Sequence, residues 1–495
     1  MNGSTLRGSR LYASLPRALL GVAALWLAVL SGSAQAIPAF NRQTGQNCVA
    51  CHAGGQFPEL TPYGRLFKLT GYTIGERTVP ISAMAVASVS KVANTSKSDD
   101  PAADFEKNGN PILATASLLV GGKVTDNIGA FLQVTYDPYA THAEDGSFRG
   151  HSNADNIDIR YADRFIGEQR DLIFGFSANN NPSVSDPWNT AAAWMQYVPV
   201  PSPTGSRFID GNAPYPGYGA GGNIAGLTAY AFLNKTFYAE IGGYATSKGV
   251  LSFMSSGIAD ADTTKLRGVN PYWRLAYNRE WGPHSLMLGT SGMIARVYDD
   301  PLNTSDPASL HRYTDLAIDA QYQYLLDPHS VTAQFVYTNN RHRLPASAAN
   351  QSVPFVDSNG NALPTTNAVD TNNVARAKLT YVYQARYGGS IGVFSLSGTH
   401  DTAYLTAGLE PGSLTINPDP ESSAPSVRAV DGNRTGSPST HGVTLEAFWT
   451  PIQYLRVGAQ YTAYGRFNGA RTNYDGFGRN ASDNNTLFLY TWLAY

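Results

Sequence analysis

Cysteine is nearly absent from this chain, with two residues in 495. That count excludes a disulfide framework, because two cysteines make at most one bridge. Charge is thin as well. Charged residues are 15% of the sequence, and 35 Lys and Arg against 37 Asp and Glu leave a formal net charge of -2. A nucleic acid or acidic polymer as partner calls for a basic excess that is missing here. No apolar run after residue 30 reaches the length of a membrane helix. No Pro/Ser-rich linker or block of like charge divides the long remainder into soluble units. The zinc-protease H-E-x-x-H signature and the P-loop are absent too. Gly217, Gly219 and Gly222 have G-x-G-x-x-G spacing, but they fall in a Pro/Gly-rich loop, which excludes the strand-to-helix context of a dinucleotide site.

What is present begins with a leader. Arg7, Arg10 and Arg17 precede an apolar stretch over 18–30, too short to span a bilayer, and Ala34-Gln35-Ala36 has the small-x-small form of a cleavage site. Residues 1–36 therefore read as a secretory signal peptide, so the mature chain starts at Ile37 and is exported.

The two cysteines stand in Cys48-Val49-Ala50-Cys51-His52, the C-x-x-C-H attachment motif of a c-type haem. The chemistry requires that spacing. Two thiols add to the two vinyl groups of one porphyrin, and the next residue presents its imidazole to the iron. A disulfide would not need His52, and a zinc site would need two further ligands that are not nearby. The expected cofactor is one covalent haem c, held by Cys48 and Cys51, with His52 as an axial iron ligand. Thr61-Pro62 reads as N-cap and first residue of a short helix over 63–69 that Gly71 stops. On it, Arg65 and Lys68 are either propionate partners or a solvated face, and Leu66 and Leu69 share an apolar face. Residues 37–78 form this haem segment.

From 79 to 495 the sequence falls into segments of about ten residues with period-two alternation. Leu316, Ile318, Ala320, Tyr322 and Tyr324 alternate with Asp315, Ala317, Asp319, Gln321 and Gln323. Ala375, Ala377, Leu379, Tyr381 and Tyr383 alternate with Arg376, Lys378, Thr380, Val382 and Gln384. Leu455, Val457, Ala459 and Tyr461 alternate with Arg456, Gly458, Gln460 and Thr462. One face is apolar and aromatic, and the other carries charges and amides, which indicates a wet interior. Short turns are expected near Thr125-Asn127, Gly167-Gln169, Asn234-Lys235, Gly282-Pro283, Asp327-Pro328, Gly388-Gly389 and Pro451-Gln453, with long polar loops between them. The expected fold is all-β: an antiparallel transmembrane β-barrel of about 16 strands, with the small helical haem segment docked in its lumen. An even strand count puts both ends of the barrel on the short-turn, periplasmic side of a bacterial outer membrane.

A second axial ligand would tune the haem, and Met raises its potential. In the first strand Met84 lies on the polar face with Ser82, Ser88 and Ser90, which makes it the candidate. Met287 and Met293 are weaker rivals, because their strand alternates poorly.

The run Ile37-Pro38-Ala39-Phe40-Asn41-Arg42-Gln43-Thr44-Gly45, the C-x-x-C-H, the stretch Phe57-Pro58-Glu59-Leu60-Thr61-Pro62-Tyr63-Gly64-Arg65-Leu66-Phe67-Lys68, and Asn180-Asn181-Pro182 through Asp186-Pro187-Trp188-Asn189-Thr190 resemble the fused outer-membrane cytochrome–porin family. Its best-known members are iron-oxidising cytochromes. The resemblance implies a monohaem domain plugged into or against a barrel, with extracellular Fe(II) as donor and a soluble periplasmic cytochrome or other redox carrier as acceptor. Cys48, Cys51 and His52 carry over, whereas no motif for iron oxidation does. Two alternatives stay open. One is a porin whose haem segment is a redox-sensitive plug, with Arg376, Lys378 and Arg456 selecting solutes. The other is electron transfer with a donor or acceptor other than iron.

Overall fold

The computed structural model describes residues 39–55, 59–94, 108–142, 148–190, 223–255, 265–298, 304–305, 310–344, 367–401, 433–476 and 478–494. The leader, Gly217, Gly219, Gly222 and Tyr495 lie outside them.

Alternating sequence becomes sixteen strands: β1 Ile81–Val92, β2 Pro111–Lys123, β3 Ile128–His142, β4 Phe148–Ile166, β5 Asp171–Asn179, β6 Ile224–Leu233, β7 Phe237–Thr246, β8 Asn270–Trp281, β9 His284–Tyr298, β10 Leu310–Leu326, β11 His329–Arg343, β12 Val369–Tyr383, β13 Tyr387–Gly398, β14 Thr440–Ile452, β15 Leu455–Arg466 and β16 Thr486–Ala494. Each pairs antiparallel with its sequence neighbours, and β1 pairs with β16, from Met84 opposite Ala494 to Val92 opposite Thr486. Closure leaves no strand edge, so the ladder satisfies its own backbone groups, as a bilayer demands.

The expected faces are observed. On β10 Leu316 and Ile318 are exposed to the outside, while Asp315, Asp319, Gln321 and Gln323 are buried inside. On β12 Leu379 and Tyr381 face out, and Arg376 and Val382 face in. An apolar exterior around a polar interior is the pattern of an outer-membrane barrel. Connections of two to four residues join β2–β3, β4–β5 and so on to β14–β15 at one end, and longer ones join the strands at the other. The barrel therefore starts and finishes at its short-turn end.

Two turns differ from the sequence reading. Gly388 and Gly389 lie within β13, and the chain reverses at Gln384 and Ala385, both left-handed with φ of 52° and 53°. The glycine is needed for another reason: a Cβ on Gly388 would stand 2.2 Å from the Phe448 ring of the neighbouring strand. Gly388, Ser390 and Gly392 have G-x-S-x-G spacing, but on a straight strand rather than a strand-to-helix elbow, and the Ser390 hydroxyl donates to Glu446 at 3.0 Å. The other shift is at Pro451, which belongs to β14.

Among the described residues four short α-helices accompany the barrel: α1 Ala39–Thr44, α2 Cys48–Cys51, α3 Pro62–Leu69 and α4 Pro182–Ser185. The first three belong to the N-terminal segment, which is packed inside the short-turn end. Ala39 N donates to Ser82 Oγ at 3.3 Å, and Lys123 N donates to Gln43 Oε1 at 2.9 Å. Tyr230 donates its hydroxyl to the Leu69 carbonyl at 2.7 Å, and Tyr72 donates to Asp158 at 2.6 Å.

Candidate functional site

The C-x-x-C-H sequence forms one helical turn, α2, followed by His52 in an extended conformation. A spacing of three residues puts Cys48 and Cys51 on the same side of that turn. The thiols are not joined, Cys48 is buried, and Cys51 and His52 are half-buried. Burial pushes the Cys51 thiol up to about 11, aided by the neighbouring Cys48, and pushes Cys48 up as well. Burial also pulls the His52 imidazole down to about 4, so it is neutral, the form that ligates a metal. Two reduced thiols on one turn followed directly by a neutral imidazole fit covalent haem. They do not fit zinc, since no three His, Cys, Asp or Glu side chains converge on a metal position among the described residues.

The turn is laced to α3 by backbone and cap bonds. Thr61 N donates to Cys51 O and Ala53 N to Glu59 O, at 2.9 and 2.8 Å. The Thr61 hydroxyl accepts from Gly64 N at 3.1 Å, capping α3, and donates to the Ala50 carbonyl of α2. Gly64 then lies flat on the turn: a Cβ there would come 2.1 Å from Cys51 O. The cap was legible in the sequence, whereas the close approach at Gly64 was not, because it depends on how two helices cross.

Arg65 and Lys68 are not a solvated face. Both are buried in contact with the barrel wall and its loops. Arg65 donates to Gln323 at 2.9 Å and to Ser285 at 2.6 Å, and Glu280 lies 3.6 Å away. Lys68 Nζ donates to Asp186 O at 2.8 Å and to Asn189 Oδ1 at 3.4 Å. Burial pulls Arg65 down to about 10 and Lys68, with Arg160 beside it, to about 8. From the wall, Lys378 pairs with Glu59 at 3.1 Å. Of the lumen cations expected to select solutes, Lys378 thus holds the plug. Arg456 is neutralised by Glu446 at 2.8 Å and stacked 3.8 Å over Phe448, and Arg376 is buried.

The residues 180–190, which begin the β5–β6 connection, turn into the lumen. Asn181 caps α4 through Val184 N at 2.7 Å, and Asp186 accepts from the backbone of Trp188 and Thr190, both at 3.0 Å. Trp188 is 1% exposed, edge-on to Tyr238 at 5.4 Å, and its carbonyl accepts from Gln321 at 3.0 Å. Arg274 bridges Asp186 at 3.3 Å and Asp319 at 2.6 Å. This arm and α3 meet at Lys68, so two separate stretches singled out in the sequence are in contact.

Met84 faces the lumen on β1 and is half-buried. The turn after His52 leans on β12 instead, where Gly54 abuts Val382. Strands β13 to β16 stand between Met84 and that point around the wall. Met287 packs with Leu69 and Trp188, and Met293 with Tyr272 and Tyr313. Unread in the sequence is a pair at the long-loop end of the lumen: His311 Nδ1 and His342 Nε2 lie 2.7 Å apart, with the Tyr313 ring stacked 4.2 Å from His342.

A closed sixteen-strand barrel with a polar lumen defines the chain as a porin-like protein of the bacterial outer membrane. Among solved structures it is similar to the outer membrane channel DcaP of Acinetobacter baumannii, at 10% identity over 84% of this chain and 96% of that one, with a TM-score of 0.42. It is also similar to OmpF of Salmonella typhi in complex with daunomycin, at 11% identity over 84% and 97%, TM-score 0.45. OprB of Pseudomonas putida, in a high-pH structure, matches at 12% identity over 84% and 94%, TM-score 0.44. No protein-family model and no curated protein matches the sequence.

Proposed function

We propose that the protein is an outer-membrane c-type cytochrome that carries electrons through the barrel, from extracellular Fe(II) to a soluble periplasmic cytochrome or other redox carrier. The observation that carries this reading is the C-x-x-C-H turn, folded with unjoined thiols and followed directly by His52 on a segment seated inside the barrel. Residues 1–36 are the leader, 37–78 the haem segment and 79–495 the barrel, with both ends of the mature chain in the periplasm.

Cys48 and Cys51 would hold the porphyrin as thioethers and His52 would ligate the iron. The haem, when bound, supplies a one-electron couple. The chain's own residues do the rest. Thr61 and Gly64 keep α3 flush against the turn. Arg65, Lys68 and Glu59 fix that unit to the wall, and the inward arm with Trp188 narrows the lumen beside it. The apolar layer of such barrels is about 25 Å thick. A redox group held within the lumen shortens that gap for a donor outside, whereas one beneath the barrel would not.

The test is a visible spectrum of the detergent-purified protein, oxidised and then mixed anaerobically with Fe(II). Reduced haem bands are expected at once. Haem that dithionite reduces and Fe(II) does not would keep the cytochrome and remove iron as its donor. A second reading, a redox-gated porin, is favoured by the Lys378–Glu59 pair, which ties plug to wall. Single-channel conductance that follows haem oxidation state would select it.

A further inference from the structure

Beyond the lumen, the outer wall carries a row of like charges. Arg312 of β10 stands directly opposite Arg296 of β9 on one side and Arg343 of β11 on the other. Arg341 is two residues from Arg343 on the same face, and Arg267 donates its backbone N–H to Arg296 O at 2.9 Å, which brings a fifth arginine to the row. All five side chains are exposed. Their neighbours on the alternate positions, His311, His342 and Val297, are buried in the lumen, so the arginines point outwards. None of the five has an ion pair among the described residues.

Like charges directly opposite one another on a sheet repel, with side chains about 5 Å apart. A barrel that sets three arginines in a row gains from it only if an anion covers them. The height of the row identifies that anion. On β10 the outward face is apolar or aromatic from Leu316 to Leu326, a run about 34 Å long along the strand and, once its tilt is taken, about 25 Å high. Arg312 lies past its end, towards the long loops, at headgroup level. Guanidinium groups there match phosphate oxygens bidentately.

We propose that Arg267, Arg296, Arg312, Arg341 and Arg343 form a binding site for the phosphate groups of the lipopolysaccharide of the outer leaflet. This does not rest on the haem reading.

The probe is bisphosphorylated lipid A, titrated into the full-length protein in detergent and compared with the same glycolipid lacking phosphate. Each surface cation contributes about a factor of five. R312Q is expected to weaken binding about fivefold and R296Q/R312Q/R343Q about a hundredfold. R279Q, on the short-turn end, is expected to leave it unchanged. R312Q alone keeps the test readable if the triple variant does not fold. Equal affinity of wild type and R312Q, or of the two glycolipids, overturns the proposal. Displacement by inorganic phosphate at equal concentration assigns the patch to a soluble anion and overturns the lipid as its ligand.

Discussion

The ammonium of Lys68 donates to the backbone carbonyl of Asp186 at 2.8 Å, across 118 positions of sequence. Through that bond the N-terminal segment holds the inward arm of the β5–β6 connection, and Arg274 holds the same aspartate from the wall. Replacing Lys68 with Met keeps the stem and removes the donor. The arm is expected to loosen, with larger channel conductance and faster proteolysis within 180–190.

The same lysine gives a pH signature. Its folded value of about 8 lies below the ordinary 10.5, so the folded state binds fewer protons than the unfolded between those values. Stability then rises with pH across that window and is flat in this contribution below about 8. The wild-type minus K68M difference in thermal midpoint, followed from pH 7 to 10, should change in that direction. No change with pH would mean that Lys68 is not desolvated.

Gly64→Ala puts a methyl group 2.1 Å from the Cys51 carbonyl. Overpacking of this kind costs about 1–3 kcal/mol. The barrel is expected to fold normally by heat-modified gel mobility. The haem-loaded fraction, measured by absorbance against protein, is expected to fall.

Cys48→Ala and Cys51→Ala each leave one thiol for attachment. The double variant is expected to show no haem stain on a denaturing gel while the barrel still folds. Retained covalent haem in the double variant would rule out attachment through these residues.

Met84→Ala is expected to alter the reduced spectrum and lower the potential if Met84 ligates the iron. An unchanged spectrum and potential would eliminate Met84.

The barrel was legible because the bilayer imposes one rule on every strand: apolar at each second position outwards. Leu316, Ile318, Leu379 and Val457 obey it with no knowledge of their neighbours. The inward positions follow no such local rule. Arg274 means little until Asp319, 45 positions away, stands two strands along the wall from it, and Arg65 reads as a surface cation until Gln323 and Ser285 surround it. The turn assigned to Gly388-Gly389 failed for a related reason: Gly388 answers to the ring of Phe448, and Gly389 to the backbone of Glu446, on another strand. Cys48 and Cys51 share one helical turn with no long-range partner, because a three-residue spacing is a local matter.

The seam between β1 and β16 fixes an order of assembly. It joins the two barrel strands farthest apart in sequence, so by loop-closure entropy it is expected to zip last. The N-terminal segment precedes β1 and is bound to β4, β9, β10 and β12, walls that exist before the seam does. Closing the barrel is therefore expected to shut a ring around a segment already bound to its walls.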